Sequence, residues 1–236
     1  MNFNLHPIGM TVTTVPTDQL RPLIRRMTGD EKHAPSAHST LDVLWVLYDR
    51  VLRIRPDTVD EPDRDRFLLS KGHGPAAYYA VLAAKGFFPV EWLDGMGGFD
   101  SPLGFHPDNT LIPGVEISSG SLGHGLGLAV GTALGLRAQG LAEARTFVLV
   151  GDAELDEGSN HEAIAYAAAA RIPLTTIVID NQSATHGWLG GIAARFIGWS
   201  VSIVDGNDHD AIEHAPEKRD RDRPHVVVAT VTPKGN

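Results

Sequence analysis

The sequence predicts an α/β protein, a parallel sheet sandwiched by helices, and three observations carry that prediction. Short apolar runs, "FVLV", "IVI" and "VVVA", recur through the second half of the chain. They lack the alternation of a half-solvated strand, which is the mark of strands buried on both faces. Segments with helical spacing separate them, so consecutive strands run the same way with a helix as the return. Finally, 42% apolar residues in a 236-residue chain are enough for one sizeable core, and no internal repeat or low-complexity tract divides it. A single domain over residues 17–236 is expected.

Residues 1–16, "MNFNLHPIGMTVTTVP", are predicted to be a flexible lead segment. They lack the basic start and apolar core of a secretory signal, and a cytoplasmic protein is the expectation. "TDQLRPLIRRM" then reads as a helix with Thr17 at its N-cap. A second helix is expected across "STLDVLWVLYDRVLRI", which carries an apolar stripe. The Asp- and Pro-rich "RPDTVDEPDRDR" is a loop, and "GPAAYYAVLAAKG" is a third helix closed by Gly86. After a Gly- and Pro-rich excursion from Gly97 to Gly114 comes "GSLGHGLGLAVGTALGLRAQG". His124 and Arg137 interrupt it, leaving fewer than the ~18–20 apolar residues a membrane span needs, so no membrane partner is expected. Gly123, Gly127, Gly131 and Gly135 align on one side of that helix as a stripe where another backbone can come close. From there strands and helices interleave: "TFVLVGD", the helix "SNHEAIAYAAAA", "LTTIVIDN", a turn region "QSATHGWLGG", "WSVSIVDG", a short helix after Asp208, charged "EKRDRDRP" and "HVVVATV".

Charge and residue usage narrow the function. A net charge of −9 argues against a phosphate-backbone binder, so nucleic acid is not an expected partner. The chain has no cysteine, which excludes disulfides, thiolate metal sites and a Cys nucleophile. Neither GxGxxG nor GxxxxGK[ST] is present, so nucleotide binding by those routes is unsupported. The informative positions are the ends of two apolar runs, Gly151-Asp152 and Asp180-Asn181. Parallel sheets bind ligands at the carboxyl ends of their strands. A carboxylate and a carboxamide oxygen converging there are hard ligands suited to Mg²⁺ or Ca²⁺. Mg²⁺ usually shares its octahedron with phosphate oxygens, so the pair suggests a metal-bridged diphosphate. Asp and Asn also cap turns, and spacing alone leaves both readings open.

"GD", then "EG", a helix with "HEA" and the later "DN" resemble the thiamin diphosphate signature. "DRFLLSKGHGPAAYYAVLAAKGF", "FHPDNTLIPGVEISSGSLGHGLGLAVGTALG" and "GWSVSIVDGNDHDAI", preceded by "KHAPSAHSTLDVLWVLY", each resemble a transketolase segment in the same order. The resemblance runs from His33 to Gly235 and is to the N-terminal, diphosphate-type domain of the thiamin diphosphate-binding fold. It is strongest to the N-terminal subunit of split transketolases. That implies a partner, the C-terminal transketolase subunit, which carries the pyrimidine-binding domain, in an α2β2 assembly. The implied reaction is transfer of a two-carbon ketol unit from a ketose phosphate to an aldose or related acceptor.

Carried over position by position, the resemblance implies that Asp152, Asn181 and the backbone carbonyl of Ser183 ligate Mg²⁺, or Ca²⁺ in its place. His73 donates to the diphosphate, which Gly120, Leu122, Gly151 and Ala153 also meet through the backbone, at a helix start whose dipole favours anions. His33 and His106 face substrate hydroxyls and, with His73, form the catalytic histidines. Glu157 and Glu162 match acids at the contact between paired cofactor sites, and Thr185 packs beside the thiazolium ring. The chain also departs from the family pattern: Ala153 stands where a second Gly of "GDG" is usual, which requires a negative φ or strain there. Gln182 and His186 replace a usual Gly and Asp, His124 a usual Gln, and Asn207 the usual His of "DGHD". "TPKGN" precedes the loop on which transketolases carry another diphosphate-facing histidine. Three other functions stay open at this stage: a specialised two-carbon transferase of secondary metabolism, a non-catalytic interaction protein, and an α-type subunit of a 2-oxoacid dehydrogenase.

Overall fold

The computed structural model describes residues 20–27, 34–184, 186–218 and 222–232. Five strands form one sheet: β1 (Arg66–Leu69), β2 (Thr146–Gly151), β3 (Leu174–Asp180), β4 (Ser200–Asp205) and β5 (His225–Thr230). Their order is β1-β2-β3-β5-β4 and every pairing is parallel. Among the described residues six α-helices accompany it: α1 (Leu20–Arg26), α2 (Ala34–Val46), α3 (Pro75–Ala84), α4 (His124–Ala138), α5 (Gly158–Ala169) and α6 (His209–His214).

Alternate residues of each strand enter opposite layers, as a pleated sheet requires. Phe147, Leu149, Ile177, Ile179, Val227 and Ala229 join Leu41, Leu44, Leu82 and Ile212 in the core that α1, α2, α3 and α6 cover. Val148, Val150, Val178, Val226 and Val228 join Leu126, Ala129, Ala133, Ile164 and Ala167 beneath α4 and α5. This is the helix–sheet–helix sandwich that the uninterrupted apolar runs predicted.

Three details differ from expectation. β1 lies at the edge of the sequence stretch taken for a loop; with only "RFLL" to show, it is defined by its pairing to β2 rather than by a pattern of its own. The second helix starts at Ala34, not at Ser39, and gives way to a π-helical turn, Leu47–Val51, closed by Leu52 N donating to Leu47 O at 2.7 Å. That wider turn sets the buried Tyr48 ring against Phe67, Tyr78 and Phe87. Leu52 onward is extended, so the predicted helical "LRI" is not helix. β4 is covered on one face only: Ser202 is buried, while Val201 and Ile203 are 42% and 67% exposed. The expected lead segment 1–16 and the Thr17 cap lie outside the described residues.

The amino ends of β1 and β2 are held by one buried acid. Asp65 is fully buried and accepts from Arg53 N at 2.8 Å, from Arg145 N at 3.0 Å and from both guanidinium groups. Burial pushes its carboxyl up, but the Arg145 and Arg53 contacts outweigh that and hold it below the usual carboxylate value. The opposite, carboxyl ends of the strands are left for the site. Among the described residues no helix is long and apolar enough to cross a membrane.

Candidate active site

The ends of β2 and β3 are tied to each other by Asp152. Its side chain is 1% exposed and accepts from Ala153 N at 2.9 Å, Ser183 N at 2.6 Å, Ser183 Oγ at 2.6 Å and Ala184 N at 3.1 Å. Asp152 N in turn donates to Ile179 O at 3.1 Å. The acid therefore caps the short 3₁₀ turn Ala153–Asp156, as its residue type allows, and also gathers the turn after β3. Asn181 is 2% exposed, and its Oδ1 is buried with no hydrogen-bond partner. Leaving an amide oxygen so costs about 1–3 kcal/mol, which a cation beside the buried carboxylate would recover. Among the described residues no three His, Cys, Asp or Glu side chains converge on a metal position. A divalent ion here would take Asp152 and Asn181 and complete its shell with backbone, water or phosphate oxygens, a set that suits Mg²⁺. The residue types present fit such an ion, with one of the four donors to Asp152 giving way to it.

A second group of predicted residues converges beside this pair. Gly120 has φ +127, and a Cβ there would lie 2.6 Å from the His106 ring, so His106 packs directly on Gly120. A Cβ on Gly72 would lie 3.5 Å from Gly120 O, which brings the "SKGHG" loop with His73 to the same turn. His73, His106 and Leu122 are exposed at this rim, and Leu122 is 45% accessible. Ala153 is exposed too, and the only non-glycine residues with positive φ among those described are Arg171 and Gln182. Ala153 therefore meets the requirement of a negative φ. Gln182, where the resembled pattern has Gly, does adopt φ +57, a left-handed conformation that costs a side-chain-bearing residue of order 1 kcal/mol. Glu157 and Glu162 are both exposed at the start of α5. His33 and Thr185 lie outside the described residues.

With this geometry in view, the chain matches the family described as transketolase, thiamine diphosphate binding domain, over residues 27–235. The chain belongs to this family. A protein of Rhodococcoides fascians named ferredoxin fas2 is 58% identical over 218 residues, covering 91% of this chain and 72% of its own length. One of the subunits of an apulose-4-phosphate transketolase from Actinobacillus succinogenes is 36% identical over 210 residues, covering 85% of this chain and 76% of its own. The crystal structure of transketolase from Campylobacter jejuni subsp. jejuni superposes with a TM-score of 0.70 at 25% identity, over 91% of this chain and 38% of that one. The chain thus spans well under half the length of that solved transketolase. The ferredoxin name does not extend to these residues, because iron–sulfur clusters are held by Cys thiolates and the chain has no cysteine.

Two features of this transketolase-family site escaped the sequence reading. Glu154 is 1% exposed and accepts from Gly123 N at 3.0 Å, from Gly151 N at 3.2 Å and from Ser70 Oγ. Burial pushes its carboxyl up, against the pull of those donors. The only signal in the sequence was an acid inside "GDAELDEG"; the exposed Glu157 and Glu162 drew attention instead. Arg195 is the other, 7% exposed, bonding Leu155 O at 2.7 Å and Asp156 Oδ1 at 2.6 Å while its guanidinium lies 4.8 Å over the Trp188 ring. His186 Nδ1 meets Asp156 Oδ2 at 3.2 Å, so the turn after β3 is pinned onto the 3₁₀ turn that follows Asp152. Burial raises the Asp156 carboxyl, yet Arg195 and His186 leave it below the ordinary value.

Proposed function

We propose that this chain is the diphosphate-binding subunit of a split transketolase-like enzyme, which holds thiamin diphosphate through Mg²⁺ and transfers a two-carbon ketol unit together with a second chain. The observation that carries the reading is the buried Asp152 carboxylate beside the unpartnered Oδ1 of Asn181, at the ends of neighbouring strands in a chain of this family. In this reading Asp152 and Asn181, with the carbonyl of Ser183, hold the Mg²⁺. Gly120, Leu122, Gly151 and Ala153 present backbone to the diphosphate, and His73 adds a side-chain donor. When bound, thiamin diphosphate supplies the electron sink for breaking and forming the C–C bond. His106 and His33 hold and move protons at the hydroxyl oxygens of the ketose donor and the acceptor, and Thr185 lies against the thiazolium ring. Glu157 and Glu162, exposed in this chain, are placed at the contact with further subunits of an α2β2 enzyme. Partner dependence is supported by relatives named as individual transketolase subunits, two of which cover 85% and 90% of this chain.

The test is a calorimetric titration of thiamin diphosphate into the chain combined with the product of the adjacent reading frame, with and without Mg²⁺, followed by a two-carbon transfer assay on a ketose phosphate. Binding only with the divalent cation, and turnover only with both chains, is the expected result. Equally tight binding in a chelator would remove the metal assignment, and cofactor uptake without transfer from any ketose phosphate would remove the ketol-transfer assignment.

A further inference from the structure

Glu154 is a buried acid that neither the metal pair nor the histidines account for. Its donors come from three separate stretches of chain: Oε1 takes the amide of Gly123 at 3.0 Å and the hydroxyl of Ser70, and Oε2 takes the amide of Gly151 at 3.2 Å. Gly151 ends β2 and precedes Asp152. Gly123 is the N-cap of α4, with φ +83, and follows the turn that holds Gly120 and Leu122. Ser70 follows β1 and opens the loop of His73, and its Oγ also accepts the amide of Gly125 at 3.0 Å. Every backbone stretch given to the diphosphate on this side of the site therefore leaves from a residue bonded to Glu154.

The surroundings leave that junction little freedom. A Cβ on Gly125 would stand 2.2 Å from the Ser70 side chain, and one on Gly123 would stand 2.6 Å from Ser159 Oγ. Ser159 Oγ also donates to Gly123 O at 2.8 Å, and Asn160 Nδ2 donates to Glu154 O at 2.6 Å. Close packing of this kind transmits a shift instead of absorbing it. All three partners of the carboxylate are donors, so the position calls for two acceptor oxygens; a carboxamide offers one and turns an N–H toward a backbone N–H.

Resting on the proposed function above, we infer that Glu154 is a positioning residue: its carboxylate sets the spacing between the β2 end that carries Asp152 and the Gly120–Gly123 turn, and with it the width of the cradle that receives a diphosphate. The reading deepens the proposed site by a residue that touches neither the metal nor the substrate.

Two variants of the full chain test it, Glu154→Gln and Glu154→Asp. Amide hydrogen exchange is measured on the cofactor-free chain, and calorimetry with thiamin diphosphate and Mg²⁺ on the chain plus the adjacent-frame product. In Glu154→Gln the amide of Gly123 or of Gly151, whichever then faces the NH2, should exchange faster while those of β3 and β5 keep their protection. Cofactor affinity should fall about tenfold or more, the size expected for a lost hydrogen bond to a charged group. Glu154→Asp keeps the charge on a shorter stem and should recover part of both. Wild-type exchange at both glycines in Glu154→Gln would overturn the inference. So would loss of protection across the whole sheet without rescue by Asp, because that pattern belongs to an acid that merely supports the fold. If the wild-type assembly takes up no thiamin diphosphate, the proposed function fails, and the exchange at Gly123 and Gly151 still decides the role of Glu154.

Discussion

At the scale of single residues, Asp152 has two duties that substitution can separate. Its carboxylate accepts four hydrogen bonds from the turns that follow β2 and β3 and, in the proposed function, also carries the charge that draws Mg²⁺. Asp152→Ala should abolish metal-dependent binding of thiamin diphosphate and lower the melting temperature as well. Asp152→Asn, which keeps one acceptor oxygen but turns an N–H toward two of those donors, should melt between Asp152→Ala and wild type and bind the cofactor at least tenfold more weakly, a loss on the order of 1.4 kcal/mol or greater. Calorimetry paired with thermal melts checks both, and an Asn variant that binds as wild type does would detach the metal from this acid. In the proposed function the histidines divide by role. His73→Ala is expected to weaken cofactor binding, whereas His106→Ala and His33→Ala are expected to lower turnover by roughly 10²–10⁴-fold with cofactor affinity nearly kept. Equal effects of all three on affinity would refute that division. Asp152 and Asn181 were legible in the sequence because each directly follows a predicted strand, so strand-end logic singles them out while leaving a turn-capping role open. Glu154 was not, because the donors that define it sit at positions 70, 123 and 151 and only the fold brings them together.

At the scale of elements, the glycines of α4 fall into two sets that the sequence could not distinguish. A period-four stripe was visible, but Gly123 and the non-stripe Gly125 are closed in by Ser159, Glu157 and Ser70, whereas a Cβ at Gly127, Gly131 or Gly135 would meet nothing within 4 Å. The first set is glycine for reasons inside this chain. The second set gains nothing here and forgoes helix propensity, about 0.5–1 kcal/mol per Gly relative to Ala. Gly125→Ala should therefore destabilise the isolated chain by about 1–3 kcal/mol through overpacking. Gly131→Ala should stabilise it slightly, raising the melting midpoint by about 1–4 °C, while weakening association with the second chain whose backbone would approach the stripe. Thermal melts of the chain alone and titration of the partner check the pair; Gly131→Ala with undiminished association would move the contact elsewhere. Asp65 makes an analogous prediction for the amino ends of β1 and β2. Its carboxyl is held below the usual value, so it stabilises the fold while ionised. That contribution is complete above the ordinary carboxylate value of about 4 and is lost as pH falls through the lower, folded-state value. Acid unfolding of the wild type should be steeper than that of Asp65→Asn. At neutral pH the variant should be less stable by about 3 kcal/mol, the low end for a broken buried pair because Arg53 still reaches water.

At the scale of the whole molecule, the three-layer plan was legible because "TFVLVG", "LTTIVID" and "HVVVAT" form β2, β3 and β5, in which all but two of the residues are buried. The edges were less so. β1 has four residues and no pattern apart from its neighbour, and the exposed Val201 and Ile203 of β4 look apolar in the sequence whether or not anything covers them. The prediction that belongs to the assembled protein follows from the proposed function. The described residues form one five-stranded sheet, with the proposed metal pair at its carboxyl edge and Gly127 and Gly131 of α4 and the Glu157 and Glu162 side chains open to solvent. In the proposed reading the other half of the cofactor is held by the second chain, so neither chain alone aligns it for proton transfer. Cofactor and partner should then each tighten the binding of the other by the same factor, as linkage between two ligands of one protein demands. The measurement is the affinity of the chain for the adjacent-frame product with and without thiamin diphosphate and Mg²⁺, set beside cofactor affinity with and without that product. Turnover should rise in proportion to the complex formed and be absent from either chain alone. A cofactor affinity that is identical in the presence and absence of the second chain, or appreciable two-carbon transfer by the isolated chain, would overturn the half-site reading and place the whole reaction on this one sheet.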